Sequence, residues 1–303
     1  MNAPAPAASP PVENRTAGIL WMLATMACFV TLDTTMKAEL TRYSLVQVTW
    51  GRFFFAALFT LILCGRDLPR LLRSHAPRLQ LARSVFQTMT TFTFNTGLAR
   101  VPLATASIIM FLAPVLVTLL SIPVLGERVS LRRWIAIAVA FLGAAIVMEP
   151  WSAGGLGSGF GMIAILAAAL FNASYQITTR QLRHDDPLTS LLFTVAFGAL
   201  VTSLMLPWFW QWPDLKGWLM LMASGALGTL GHLFIIRAFR AAPASVVAPF
   251  SYSTLIWAAI LGWLVFGDWP KPATWAGAAL IIGSGLYSFL AEHRRPRTPL
   301  AAD

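Results

Sequence analysis

The sequence predicts an all-α polytopic membrane protein, with ten transmembrane helices arranged as two inverted five-helix repeats around a central cavity. Three observations carry that prediction. The 303 residues are 57% hydrophobic and only 11% charged, less than half the roughly 25% charge of a soluble domain. The apolar stretches run to about 20 residues without strand-like alternation, the length a helix needs to cross a bilayer. Segments three to five also recur as segments eight to ten at a fixed offset of 141 residues, which places Pro102 on Pro243, Gly126-Glu127 on Gly267-Asp268, Trp134 on Trp275 and Ala138 on Ala279. Five spans is an odd number, so the second copy enters the membrane with the opposite orientation, an architecture of many secondary transporters.

Taken in order, residues 1–16 are an Ala/Pro-rich tail with the composition of disorder. Spans are read at about 17–36, 45–64, 80–98, 104–125 and 131–149, forming a first repeat over 17–149. A Gly-rich outer linker at 150–159 has neither the preceding strand nor the Gly-Lys-Ser/Thr of a phosphate loop. A second repeat over 160–291 holds spans at about 160–181, 188–207, 217–238, 244–266 and 274–291, and 292–303 is a mostly basic tail. The first apolar segment is long enough to span and lacks a cleavage signature, so it reads as a helix and not as a signal peptide.

Charge sets the orientation. Sixteen Lys and Arg fall on the side that holds both termini and five on the other, with Arg52 inside a span. The positive-inside rule puts both termini in the cytoplasm of a bacterial inner-membrane protein. The net charge of +10 is thereby used for topology and does not imply nucleic acid. The loop Arg66 to Arg78 reads as an interfacial segment, leucines in lipid and arginines toward phosphates. Trp208, Trp210, Trp212 and Trp218 read as an aromatic belt on the opposite side. Cys28 and Cys64 fall within spans with no metal spacing and no disulfide logic.

Polar side chains inside spans are functional candidates, because they tend to face the bundle interior. Arg83, Gln87, Thr91 and Asn95 follow at intervals of four and make one helical stripe. The repeat offset places Ser224, Gly228, His232 and Ile236 opposite it. Gln87, Thr91, Asn95 and His232 are therefore expected to line a cavity, the competing reading being interhelical packing bonds. In the sixth span Asn172, Tyr175 and Gln176 share a face. An offset of 142 pairs Phe29 with Phe171, Leu40 with Leu182 and Asp33 with Tyr175. Asp33 and Arg52 fall at similar depth, as a pairing latch or gate, while an unpaired Asp33 would couple protons or hold an amino group. Pro114 and Pro249 permit bends in spans four and nine, and Ser251 and Tyr252 beside Pro249 join the candidate cavity.

No ATPase, zinc-hydrolase or serine-hydrolase motif occurs. The expectation is thus a non-enzyme with no catalytic residues, no metal and no cofactor, whose partners are a small-molecule substrate and membrane lipids, as a monomer or weak homodimer. The ten spans, Pro102-Leu-Ala-Thr-Ala106 and Gly126-Glu127 resemble the drug/metabolite transporter superfamily, in particular its EamA-type exporters, over about residues 17–291. The resemblance extends to bacterial amino-acid and metabolite exporters of the YddG kind. It implies a basket of helices exporting amino acids, aromatic ones among them, by alternating access. Alternatives are a multidrug or quaternary-cation exporter and, from another class, a non-transporting scaffold or lipid scramblase.

Overall fold

The computed structural model describes residues 14–126, 130–149, 156–182 and 185–293. The tail over 1–13, Glu127 of the repeated Gly-acid pair, most of the linker (150–155) and the carboxy-terminal tail from 294 lie outside the described residues. The described residues form only helices and turns. The helices are α1 (Arg15–Glu39), α2 (Leu45–Cys64), α3 (Leu68–Leu71), α4 (Pro77–Leu98), α5 (Leu103–Met110), α6 (Ala113–Leu125), α7 (Leu131–Met148), α8 (Leu156–Gln181), α9 (Pro187–Met205), α10 (Leu215–Ala241), α11 (Ala244–Val247), α12 (Ser253–Phe266) and α13 (Pro272–His293).

Local chemistry sets the helix starts. Asn14, Ser44, Asp186 and Asp214 each place a side-chain oxygen on an amide of the first turn of α1, α2, α9 and α10, satisfying donors that a helix leaves orphaned. The stops of α6 and α12 are a matched pair. Gly126 and Gly267, one repeat offset apart, take left-handed conformations at φ 68° and 71°, and their amides close on Ile122 and Trp263 carbonyls. Only glycine enters that region without strain.

Among the described residues seven segments are long and apolar enough to cross a membrane: Arg15–Glu39, Leu45–Leu71, Leu103–Val124, Gly159–Gln181, Pro187–Trp208, Leu215–Ala241 and Ala248–Phe266. α4 falls outside that set because its sequence interleaves Thr, Gln, Asn and Arg with its apolar residues. The fourth and ninth apolar segments are interrupted, as their prolines led one to expect. α5 and α6 are separated by Phe111 and Leu112 just before Pro114, while α11 passes through a 3-10 turn (Ala248–Tyr252) containing Pro249 before α12. Phe111 and Tyr252 are repeat-equivalent at the 141 offset, and their rings stack on each other at 5.0 Å and 30°.

Packing joins the two halves throughout. α1 packs along α10 and α4 along α8; α2 meets α9 and α10; α9 also meets α4; α7 meets α13; α12 meets α1 and α5. Each of these contacts pairs a helix of the first repeat with one of the second. Exchanging α1 with α8, α2 with α9 and α4 with α10 maps the α1–α10 contact onto α8–α4 and the α2–α10 contact onto α9–α4. Small residues permit the approach: the backbone of Phe55 and Ala56 on α2 lies against Gly225 of α10, and Gly143 of α7 against Gly277 of α13.

Polar clasps close both ends of the bundle. At the far face, where α1 ends, Arg42 Nη2 donates to Asp214 Oδ2 at 3.0 Å and Tyr43 Oη to Asp214 Oδ1 at 3.3 Å. Gln47 Nε2 donates to the Gln211 carbonyl at 2.7 Å while the Gln211 amide donates to Gln47 Oε1 at 2.9 Å. Lys37 Nζ bridges the Val101 carbonyl at 2.9 Å and Asp268 at 3.1 Å. At the near face Asp185, which the 142 offset pairs with Tyr43, accepts from Ser74 Oγ, Gln80 Nε2 and the His75 amide. Burial pushes the Asp185 carboxyl up, but these donors outweigh it and hold it below the ordinary aspartate range.

Two predictions follow from this packing. Gly225→Ala drives a methyl into the backbone of α2 and should lower stability by about 1–3 kcal/mol. Gly283→Ala, where a Cβ meets open space, should leave it unchanged; thermal unfolding in detergent checks both. Because the Asp185 carboxyl is depressed in the folded state, its stabilisation is complete above the unfolded value near ~3.9 and fades as pH falls through the folded one. The thermal midpoint of wild type should therefore drop more steeply below about pH 4 than that of Asp185→Asn.

Candidate transport site

The central cavity lies where α2, α4, α8, α9 and α10 converge. Its polar wall is Arg52, Arg83, Gln87, Tyr175, Thr194, Thr229 and His232, completed by Phe53, Ala56, Leu191, Val195 and Gly228, and the space between them, about 20 Å³, is no larger than a water in this conformation. Both repeats contribute, as the crossed packing requires.

Arg83 is the most heavily engaged residue of the wall. It is 5% exposed, and four of its five N–H donors are taken. Nε donates to Thr179 Oγ1 at 2.8 Å, Nη1 to the Ser190 carbonyl at 2.7 Å and to Thr194 Oγ1 at 2.6 Å, and Nη2 to Tyr175 Oη at 2.5 Å. Its guanidinium also lies 4.4 Å from the centroid of the Tyr175 ring. A buried charge is tolerated when its donors are satisfied in this way. Arg83 thus ties α4 to α8 and α9, and it holds the Tyr175 hydroxyl in the cavity.

Arg52 is the contrast. It lines the same cavity, is half-buried, and makes no hydrogen bond or ion pair among the described residues. Its guanidinium lies 5.9 Å from the Phe53 ring centroid, and Asp33 and Tyr175 are the groups that act on it electrostatically. Asp33 is likewise half-buried without a hydrogen bond among the described residues, and Arg52 is its charge partner at a distance. The expected direct latch between the two is not formed here. His232 is anchored through Nδ1 to the Gly228 carbonyl at 2.8 Å, with its ring edge-on to Phe29 at 5.3 Å. The lining residues include two arginines and no carboxylate, so the wall is electropositive.

Among the residues expected at a cavity, Gln87, Tyr175 and His232 line this one, and Arg52, expected as a latch or gate, lines it with them. Thr91 and Asn95 do not: they are 1% and 0% exposed, Thr91 bonded to the Gln87 carbonyl at 3.1 Å and Asn95 Nδ2 to Thr49 Oγ1 at 3.1 Å. An i, i+4 stripe advances about 40° per step around a 3.6-residue helix, so a face that opens on the cavity at Gln87 has turned into the α2 interface by Asn95. Asn172 and Gln176 bond each other at 2.7 Å on α8. Ser251 closes on the Ala248 carbonyl at 2.7 Å inside the 3-10 turn, and Tyr252 stacks at the helix break. Arg83 belongs both to the stripe and to the charges that orient the chain, while Thr194, a single hydroxyl in an apolar run, is absent from the expected set. The signal for Thr194 was available, since the offset of 142 that pairs Asp33 with Tyr175 pairs Arg52 with Thr194.

Long apolar helices, broken spans meeting at mid-bundle and a polar cavity shared by two halves define a membrane transporter. The chain belongs to the EamA-like transporter family, whose model matches residues 16–149 and again 159–290. It is 31% identical over 288 residues to a riboflavin transporter of Rhizobium johnstonii, covering 93% of this chain and 94% of that one. It is 26% identical over 285 residues to an S-adenosylmethionine uptake transporter of Rickettsia prowazekii, covering 91% and 94%. It is 28% identical over 272 residues to the pseudopaline exporter CntI of Pseudomonas aeruginosa, covering 88% and 93%. A solved crystal structure aligns at a TM-score of 0.63 and 22% identity, covering 93% of this chain and 99% of its own, which supports the fold alone.

The geometry separates structural from substrate-facing polar residues. Asn95→Ala should lower stability by about 0.5–2 kcal/mol, the range of an interhelical bond in a membrane, without altering substrate affinity. Thermal unfolding and equilibrium binding on the same preparation check this.

Proposed function

We propose that this protein is a secondary transporter of zwitterionic metabolites, exporting amino acids and related compounds across the bacterial inner membrane. In this reading ten spans form two inverted repeats with both termini cytoplasmic, and α4, α7 and α13 complete the seven strongly apolar segments. The observation that carries the substrate class is the guanidinium of Arg52, which lines the cavity without a hydrogen bond or ion pair among the described residues, with Asp33 as its charge partner at a distance. A guanidinium stays charged and presents a fork that matches a carboxylate. Arg52 receives the carboxylate, with Phe53, Tyr175 and Gln87 around the side chain, and Asp33, outside the cavity lining, attracts the ammonium group from a distance. Arg83 is already satisfied and positions Tyr175.

The relatives support a small-molecule cargo without fixing which. S-adenosylmethionine, the cargo named for the Rickettsia relative, carries an α-amino acid head, as the Arg52–Asp33 arrangement wants. The aromatic lining and the riboflavin transporter relative favour a flat heteroaromatic cargo as the second reading.

Counterflow in proteoliposomes decides between them. Labelled amino acids, S-adenosylmethionine and riboflavin are offered separately, with Arg52→Lys beside wild type. Saturable exchange of amino acids is expected, with half-saturation raised about 10- to 100-fold in Arg52→Lys, because losing a charge-assisted bidentate contact is worth roughly 1.5–3 kcal/mol. Exchange of riboflavin alone moves the cargo to the second reading. Amino-acid exchange unchanged in Arg52→Lys removes Arg52 from the site.

A further inference from the structure

Glu39, the last residue of α1, stands apart from everything described so far. It is 0% exposed, and neither carboxyl oxygen has a hydrogen-bond partner among the described residues. Its backbone carbonyl accepts the amides of Arg42 and Tyr43, which closes the helix but leaves the side chain alone.

The charges on the surrounding elements are engaged elsewhere. On its own helix Lys37 is bound to Asp268 and to the Val101 carbonyl, and Asp33 has Arg52 of α2 as its charge partner at a distance. Just beyond α1, Arg42 and Tyr43 hold Asp214. From α10, Lys216 is exposed, His232 is tied to Gly228, and Arg237, over the Trp21 ring, lies with Arg240 at the opposite end. From α4, Arg83 spends four of its five donors on its own network, and Arg100 beyond it bonds the Thr96 carbonyl. α5, α11 and α12 carry no ionisable residue. Tyr252 of the 3-10 turn stacks on Phe111, and Lys271 beyond α12 pairs with Glu149.

An ionised carboxylate at such a position loses several kcal/mol of hydration with nothing in return. The neutral acid avoids that penalty, which is why isolated buried carboxyls neutralise. We propose that Glu39 is a proton-binding site: it holds a proton in this conformation and releases it when the far end of α1 parts from its neighbours and water reaches the carboxyl. The place is consistent with that role, because the clasps around it (Lys37 to Asp268, Arg42 and Tyr43 to Asp214) are the contacts that must open for the far face to part. Glu39 would thereby couple a proton to the cycle, separately from the Arg52 cavity; this coupling role rests on the transport reading above.

Infrared spectroscopy of the full chain in an ester-free detergent at neutral pH tests the site without any substrate. A protonated-carboxyl carbonyl band is expected in wild type, lost in Glu39→Gln and retained in Asp33→Asn. Dicyclohexylcarbodiimide, which attacks protonated carboxyls reached through apolar surroundings, should modify Glu39 in the wild-type chain, located by peptide mapping, so the result does not depend on the variant folding. A band unchanged in Glu39→Gln, or an unmodified Glu39, overturns the proposal. For coupling, a pH gradient across proteoliposomes should drive accumulation by wild type but not by Glu39→Gln, while counterflow by the variant persists. Equal gradient-driven accumulation by both refutes coupling through Glu39. Absence of counterflow by wild type refutes the substrate reading instead and leaves the spectroscopic test intact.

Discussion

The constraint on which the rest depends is that each repeat finds its packing partners in the other. In a bilayer the lipid chains are as apolar as leucine, so helices associate through close contact and polar bonds and not through hydrophobic exclusion. Here those contacts run α1 to α10, α4 to α8, α2 to α9 and α7 to α13, across the halves in every case. A cavity at the centre of such a structure has to be built from both copies. That is why Arg83 of the first repeat is satisfied by Tyr175, Thr179, Ser190 and Thr194 of the second. The same crossing puts the broken spans back to back, so that Phe111 and Tyr252 stack at the pseudo-symmetric centre.

The electrostatics divide the cavity's two arginines. Arg83 has traded water for four acceptors and a ring face, an arrangement that stabilises the bundle. Arg52 has made no such exchange, although it lies on the same wall. A permanent cation left without acceptors in a membrane protein is poised for an acceptor that arrives with the cargo. The clasps at the two faces have a related division of labour: Tyr43 and Asp185, one repeat offset apart, each close a different end. Bonds of this kind are individually modest, so a moving bundle can exchange them.

Much of the fold was legible because it rests on long-range regularities in composition. The 141-residue offset located the paired Gly126 and Gly267 stops, and the prolines located both breaks. The site was less legible, for geometric reasons. Gln87, Tyr175 and His232 could be found as polar groups in apolar runs. Thr91 and Asn95 belong to the same stripe yet turn away, because a four-residue spacing drifts around a 3.6-residue helix. Arg83 looked like an interfacial charge at the start of its span, and nothing local revealed that α8 and α9 would supply four acceptors for it. Asp33 and Arg52 lie at matching depth, but depth alone does not bring two side chains into contact. Glu39 was the least visible: as a charged residue at a helix end it reads as solvated, and only the crossed packing buries it.

The most direct measurement is of distances across the two clasps in the same molecule. Spin labels at Thr41 and Trp212, both exposed at the far face, and at Arg73 and Gln181, both exposed at the near face, report each end by pulsed electron resonance. If the crossed repeats rock about the central stack, a transported zwitterion will redistribute both distances in opposite senses, one lengthening as the other shortens. Distances that stay fixed at both faces while counterflow proceeds would contradict a cavity that is exposed alternately by the two repeats.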